Sequence, residues 1–472
     1  MRTACGEVVS QARPAEVATG VPLAVDLDGT LVRTDLLIES VLGLIRKQPW
    51  ILILLPLWLR QGLAVFKRRI ARQVSLDVSA LPWRMEFIAD LERQRAEGRS
   101  LVLATGADEG VARAVAAHWK IFDLVLASDG TTNLCGEAKR RCLAGRFGEK
   151  GFDYAASGAR EDQQVWRSAR RAVVVKPEPH GWAARSSALR FGQWMKNLLV
   201  FVPVILAHRF HEPALMWKSL LAFIAFGCCA SGGYLLNDLI DLEADRHHPQ
   251  KRFRPLAAGR APLTWALAMI PALVGAGFLL GAAVSGTLFA MLLGYVALCA
   301  AYSWHIRKVA VLDVLFLAGL YTMRIMAGSA ATGIWSSHWL LAFSSFLFLS
   351  LALVKRYGEL VIMRRVDGDR AKARGYEIND EELLAAMGIA SGYLAVVVLA
   401  LYMTSDKAAV FYPHPGLLWA LCPLLLYWIS HIWFTAHRGR MEHDPIAFAI
   451  EDRRSRILLL LMAAAAVVAL AV

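Results

Sequence analysis

Beyond residue 197 the chain reads as a succession of apolar blocks, 198–207, 214–236, 262–283, 286–303, 309–331, 336–354, 384–403, 416–436 and 456–472, separated by short polar connections. An apolar helix needs about 20 residues to cross roughly 30 Å of hydrocarbon, and most of these blocks come near that length. The pattern predicts an all-α membrane domain of nine transmembrane helices over 186–472. The first block, of about ten residues, spans only about 15 Å. It is either completed by the amphipathic lead-in "LRFGQWMKN" or lies partly inserted.

Residues 1–185 mix charge and apolar runs as a soluble domain does. The opening 1–20 lacks the apolar core of a secretory signal and reads as a loose tail. Over 21–178, "VPLAVDLDG" and "SLVLATGAD" are short apolar strands ending in polar turns, which predicts a Rossmannoid α/β domain. A helical insertion occupies 36–90. Its "WILILLPLWL" is too short to span a bilayer, so two readings stay open: an element on the membrane surface with Lys67, Arg68, Arg69 and Arg72 facing headgroups, or a buried cap helix.

Composition agrees with a multi-domain chain, one half in a membrane: 57% of residues are hydrophobic and 19% charged. The net charge of +13 has a local cause. If the N-terminal half is cytosolic, the connections 237–261, 304–308, 355–383 and 437–455 carry nearly all the loop Lys and Arg, whereas the opposite loops hold only Arg209 and Lys407. That is the positive-inside pattern, and it removes the need for a nucleic-acid partner. The seven cysteines form no Cys-x-x-Cys pair, and neither a zinc site nor a disulfide framework is expected.

The chemistry gathers in "GGYLLNDLIDLEADRHHPQKRFRPLAAG", Gly232 to Gly259, at the end of the second block. A helix leaving the membrane there would carry Asn237, Asp241 and Asp245 on one face at i, i+4 and i+8, with Asp238 beside them. Aligned carboxylates repel unless a hard cation lies between them, and Mg²⁺ takes one or two carboxylates plus phosphate oxygens and water. Arg246, Lys251, Arg252 and Arg254 follow as cations for phosphate oxygens. His247 and His248, being adjacent, point different ways and read as solvated.

This N-D-x-x-D-x-x-x-D segment, with its basic run and "RPLAAG", resembles the first signature of the UbiA superfamily of intramembrane prenyltransferases. The resemblance implies nine transmembrane helices, a cytosol-facing cavity and Mg²⁺-diphosphate chemistry. Aromatic prenyltransferases of that superfamily carry a second D-x-x-x-D in the loop after the sixth span. Here "LVKRYGEL" stands instead, with Lys355, Arg356, Tyr357 and Glu359. Together with Arg190, Gln193, Trp194, Lys196 and Asn197 of "LRFGQWMKNLLVFVP", Tyr302, Ser303, Lys308 and Asp313 of "AYSWHIRKVAVLDV", Tyr321 and Arg324 of "YTMRIMAG", and Asp444, Asp452 and Arg453 of "HDPIAFAIEDRRS", the pattern is similar to the decaprenyl-phosphate phosphoribosyltransferase branch.

The resemblance implies transfer of 5-phosphoribosyl from phosphoribosyl diphosphate to a polyprenyl phosphate with release of diphosphate, supplying an arabinose-donor lipid. Mg²⁺ would be held by Asn237, Asp238, Asp241 and Asp245. Lys196, Arg254, Lys355 and Arg356 would hold the ribose 5-phosphate and the acceptor phosphate, while Asp313 and Glu359 would bind ribose hydroxyls or orient a cation. The expected location is a bacterial inner membrane, multi-pass, with the N-terminal domain and the site cytoplasmic. A homo-oligomer is compatible with it. Two other readings are an aromatic polyprenyltransferase and a transporter with a regulatory front domain.

The strand ending in Asp26-Leu27-Asp28-Gly29-Thr30 resembles the first motif of haloacid dehalogenase-like phosphatases. The resemblance makes Asp26 the nucleophile and Asp28 the acid/base, with Thr105 a phosphate ligand and Lys139 the third motif's cation. The fourth motif departs: Ala156-Ser157 stands where Gly-Asp is usual, leaving Asp162 as the remnant. A scaffolding or ligand-sensing domain and a working phosphatase both remain open.

Overall fold

The apolar runs of the N-terminal half fold as β1 (Gly6–Val9), β2 (Leu23–Val25), β3 (Leu101–Asp108), β4 (Leu124–Ser128), β5 (Asp153–Ala156) and β6 (Ala172–Val174). The computed structural model describes residues 6–9, 20–176, 181–367, 372–373, 375–406, 408, 412, 414–441 and 445–471. The strands make one sheet in the order β1-β4-β3-β2-β5-β6. β2, β3, β4, β5 and β6 run parallel, and β1 pairs antiparallel with β4 at the edge. Strands β2 through β5 are buried at every position, as expected when helices cover both faces. Part of the predicted loose tail is therefore ordered: Gly6–Val9 line up with Leu124–Ala127, while residues 1–5 and 10–19 lie outside the described residues.

Parallel sheets gather functional loops beyond the carboxyl ends of their strands. Asp26 and Asp28 follow the central β2, and Gly29, at φ +69°, turns the chain sharply there with its α-carbon facing Ser157. The insertion is a set of helical pieces, Leu36–Lys47, Pro49–Ile53, Leu55–Leu59 and Leu63–Gln73. Asp35 caps the first by accepting from the Ile38 N–H at 3.0 Å. Leu44, Ile51, Phe66, Ile70 and Val74 give these pieces a small core of their own.

The chain divides into two compact units, Met1–Arg190 with Tyr234–Ile270, and Phe191–Gly233 with Pro271–Val472. Tyr234–Ile270, which holds the acidic segment, falls in the first of these units.

Seven helices among the described residues are long and apolar enough to cross a membrane: Pro213–Ile240, Leu263–Val284, Gly286–Trp304, Leu312–Thr332, His338–Arg364, Ile378–Met403 and Gly416–His437. The first predicted block is a 3₁₀ segment, Phe191–Phe201, followed by the short helix Val202–Leu206. Its backbone presses on Gly328, where a β-carbon would fall 2.0 Å from the Val200 carbonyl oxygen. The last block is the helix Arg453–Ala471, whose first turn carries Arg453, Arg454 and Arg456. Membrane helices approach closely over small residues: a β-carbon on Gly388 would sit 2.1 Å from the Trp433 ring, Trp433 Nε1 donates to Ser350 Oγ at 3.1 Å, and that hydroxyl donates to the Gly388 carbonyl at 2.7 Å.

Two expectations about the cysteines and one loop change. Cys142 is disulfide-bonded, whereas Cys135, Cys228, Cys229, Cys299 and Cys422 are free. The "KRYGE" stretch is not a loop: helix His338–Asp367 runs through it without a break. Lys, Arg and Glu are good helix formers, and Arg356 pairs with Glu359 one turn on at 2.7 Å.

Candidate functional site

The acidic segment keeps helical register past the end of the long helix Pro213–Ile240. The Asp241 N–H donates to the Asn237 carbonyl at 2.9 Å and the Asp245 N–H to the Asp241 carbonyl at 2.8 Å. Asn237 and Asp241 are half-buried, while Asp238 and Asp245, two turns apart, are buried. One guanidinium nitrogen joins the buried pair: Arg254 Nη1 lies 2.6 Å from Asp245 Oδ2 and 3.2 Å from Asp238 Oδ1. Arg190 closes on the same Asp238 oxygen and lies over the Tyr234 ring at 5.2 Å. It can do so because it ends helix Trp182–Leu189 in the left-handed region, at φ +53°.

Two carboxylates therefore converge on one cationic position, the number of protein ligands Mg²⁺ accepts when phosphate oxygens and water complete its shell. Among the described residues no three ligating groups close a metal site without such help. The donor set is compatible with a Mg²⁺ ion completed by phosphate and water oxygens, and its carboxylates here are paired with Arg190 and Arg254.

Arg246 behaves differently from the phosphate ligand expected of it. Its Nη1 and Nη2 grip Glu39 of the insertion at 2.7 and 2.5 Å, and its Nε donates to the Ala257 carbonyl at 3.1 Å, so every nitrogen of the guanidinium already holds a protein partner. Lys251 is half-buried, and its backbone N–H donates to His248 Nδ1. His247 is not simply solvated: Nε2 lies 3.0 Å from Asp77 and Nδ1 meets the Glu243 carbonyl at 2.9 Å. The carbonyl, with the Asp77 charge, raises its pKa.

In the second unit the expected ligands form two clusters. Arg324, buried, donates Nε to Asn197 Oδ1 at 2.9 Å and Nη2 to Tyr295 Oη at 3.1 Å. Since Oδ1 accepts, the Asn197 amide must present Nδ2 elsewhere, and Nδ2 is buried with no hydrogen-bond partner among the described residues. Lys196 lies over the Tyr321 ring at 5.5 Å, beside Arg324 over the same ring, and Gln193 sits half-buried on the same 3₁₀ segment.

The other cluster centres on Asp313 and Arg356, both almost fully buried. Arg356 Nε meets Asp313 at 2.5 Å, Nη1 meets Glu359 at 2.7 Å and Nη2 donates to Tyr302 Oη at 2.9 Å. Tyr376 Oη donates to the other Asp313 oxygen at 2.5 Å, and burial with that carboxylate raises its pKa. Each nitrogen of Arg356 thus already has a protein partner, two of them carboxylates. Tyr357 turns to His437 at 2.7 Å, Lys355 is half-buried, and Lys308 is exposed. Asp452, with a lowered pKa, accepts from the Ser455 N–H at 2.7 Å and pairs with His431; Asp444 lies outside the described residues.

A third constellation lines a cavity of about 400 Å³ beyond β2. Lys139 Nζ donates to Asp26 Oδ1 at 2.8 Å and to Tyr154 Oη at 3.0 Å, and Tyr154 Oη donates to Asp162 Oδ1 at 3.0 Å. Burial disfavours the Lys139 charge, but Asp26 outweighs it and holds the pKa above the ordinary lysine value. Burial, then the Asp35 charge, pushes Asp28 up to about 7. Asp162 is raised by burial and by Asp26, and its second oxygen accepts from the Gly158 and Ala159 N–H groups. Thr105, fully buried, accepts from the Ala107 N–H at 3.0 Å.

Lys67 of the insertion also reaches this cavity, 2.6 Å from the Gly106 carbonyl and 2.8 Å from Asn133 Oδ1, and Arg68 pairs with Asp108 and Glu109. These two face inward, so the headgroup reading fails for Lys67 and Arg68, which line or flank the cavity instead. Sequence reasoning missed Tyr154, Glu39 and Tyr376 and gave Lys67 a different role. No motif flags them, and Glu39, Tyr376 and Lys67 act through partners far along the chain.

The UbiA prenyltransferase family matches residues 198–450. Over 95% of its length the chain is 34% identical to 91% of uncharacterized protein y4nM of Sinorhizobium fredii. It is 37% identical to nodulation protein NoeC of Azorhizobium caulinodans, across 59% of this chain and 92% of that one. Decaprenyl-phosphate phosphoribosyltransferase of Mycobacterium tuberculosis is 35% identical over 198 residues, 41% of this chain and 65% of that protein. A transferase family over these helices replaces the transporter reading.

Proposed function

The chain belongs to the UbiA prenyltransferase family, and within that family we propose that it transfers 5-phosphoribosyl from phosphoribosyl diphosphate to a polyprenyl phosphate. The observation that carries the reading is the sharing of one cationic position by Asp238 and Asp245, with Arg190 and Arg254 alongside. Such an arrangement suits a diphosphate leaving group whose charge must be neutralised as its bond to carbon breaks. The similarity to decaprenyl-phosphate phosphoribosyltransferases supports the donor. Where an allylic-diphosphate enzyme would hold a second acidic cluster, this chain has Arg356 locked between Asp313 and Glu359, which argues against the aromatic prenyltransferase alternative.

In the reaction an acceptor phosphate oxygen attacks the ribose anomeric carbon, the carbon–oxygen bond to diphosphate breaks, and diphosphate leaves with the bonding pair. The acceptor oxygen is already anionic, so no strong general base is needed. Asp238, Asp241 and Asp245 would hold Mg²⁺, with Asn237 beside them; the ion supplies charge neutralisation at the leaving group. Arg190 and Arg254 would release carboxylate to bind phosphate oxygens, and Lys196 and Asn197 of the second unit are separate candidate phosphate ligands. We place the protein in a bacterial inner membrane with the N-terminal half cytoplasmic, from the distribution of loop Lys and Arg.

For the N-terminal half we propose a haloacid dehalogenase-like domain of weak or absent turnover. Asp26, Asp28, Thr105 and Lys139 stand around one cavity, but Asp162 is engaged by Tyr154 and two backbone N–H groups.

Purified protein with polyprenyl phosphate and labelled phosphoribosyl diphosphate should release diphosphate and label the lipid. Displacement of phosphoribosyl diphosphate by geranyl diphosphate at equal concentration, or efficient prenylation of 4-hydroxybenzoate, would replace this reading with the aromatic one.

A further inference from the structure

The insertion presents an apolar face that no described residue of the chain covers. Trp50, Leu52, Ile53, Leu57 and Leu59 are each more than half exposed, Ile53 at 76%. They are not loose chain, because Ile51 is buried in the insertion's own core and Leu54, Leu55 and Trp58 pack against it. The segment thus has an inside and an outside, and both are apolar. A contiguous exposed apolar patch marks an interaction surface.

Its surroundings say with what. From Ser40 to Leu76 there is no acidic residue, while Arg46, Lys47, Arg60, Lys67, Arg68, Arg69 and Arg72 lie in the same stretch. Lys67 and Arg68 turn inward as described, Arg46 pairs with Glu243 and Arg69 lies over the Trp58 ring, while Lys47 and Arg60 flank the apolar segment in sequence. A basic fringe on an apolar face suits the anionic interface of a bilayer. The compact unit that holds the insertion also holds Tyr234–Ile240 and Leu263–Ile270, the ends of two helices long and apolar enough to cross a membrane. Glu39–Arg246 and Arg46–Glu243 tie the insertion's first helix to the segment emerging from one of them.

We infer that the Pro49–Leu59 face embeds in the headgroup–acyl boundary of the bilayer that the chain itself spans. It lies in the interface rather than crossing, because about ten residues cannot traverse the hydrocarbon. The cap over the N-terminal cavity is then a membrane-seated element.

The test uses the full chain in vesicles of phosphatidylcholine and phosphatidylglycerol, carrying an environment-sensitive fluorophore on Ile53→Cys, with labelling of the parent chain subtracted. Glu97→Cys, on an exposed position elsewhere in the unit, is the aqueous control. Nitroxide on the upper acyl chain should quench the label at 53 at least threefold more than at 97, and aqueous iodide should do the reverse. Adding Leu52→Ser and Leu57→Ser, both about half exposed, should reduce the lipid quenching. Equal quenching at the two positions overturns the inference. So does a label at 53 shielded from both quenchers with energy transfer between copies, which would show that a second chain covers the face.

Discussion

Glu39 and Arg246, more than two hundred residues apart, form a bidentate ion pair at 2.7 and 2.5 Å with both side chains less than a tenth exposed. The insertion's first helix is thereby fastened to the short helix Leu242–His247 that carries Asp245. A buried pair is sensitive to loss of one partner, which strands the other charge, and far less to loss of both. Glu39→Ala should therefore cost about 3–5 kcal/mol of local stability, seen as faster proteolysis near the insertion and a lower melting temperature. Glu39→Met with Arg246→Met should recover most of it. A melt unmoved by Glu39→Ala would show that the pair holds nothing in place.

Asp241→Asn should lower diphosphate release at limiting Mg²⁺ by about 100-fold or more, the scale of losing a group that stabilises developing charge. Asp241 is half-buried, so no cavity opens and the melt should barely move. Near-normal activity at limiting Mg²⁺ would remove Asp241 from the site.

Asp26→Asn should leave diphosphate release close to normal while removing any release of phosphate from the phosphoribosyl lipid. Free phosphate and free diphosphate, measured separately, decide it. Brisk phosphate release by the unaltered chain, lost in Asp26→Asn, would show a working phosphatase. Loss of diphosphate release would show that the two activities depend on each other.

Burial and the Asp35 charge hold Asp28 near 7, above its ordinary 3.8. Its contribution to stability is complete below about pH 4, where both folded and unfolded chains carry the proton, and is lost as the pH rises through 7. Difference infrared spectra of wild type against Asp28→Asn, without added metal, should show a carboxyl titrating near 7. A midpoint near 4 would mean that water reaches Asp28 freely.

In the second unit, Asp313→Asn should destabilise far more than Glu359→Gln. Asp313 is fully buried between Arg356 and Tyr376, whereas the Glu359 side chain is about a third exposed. A lost partner in low dielectric leaves Arg356 uncompensated, and a partly wet one is replaced by water. Thermal melts of the two variants give the comparison, and equal losses would place the burial elsewhere.

The sequence by itself determined whatever depends on local periodicity. Apolar blocks of helical length mark the membrane helices, β2 and β3 are short apolar runs, and Asn237, Asp241 and Asp245 follow one another at helical spacing because hydrogen bonding from i to i+4 is local. Only the tertiary structure decided how each charge is used. Arg254 and Arg246 look alike in the basic run, yet one joins Asp238 to Asp245 and the other is consumed by Glu39. Arg356 reads as a phosphate ligand until Asp313, 43 residues earlier, takes its Nε. Lys67 reads as a surface cation until the insertion folds it into the cavity beside Asp28. The physical reason is common to all of them: a buried charge must find a partner, and the partner is set by which elements pack together rather than by its distance along the chain.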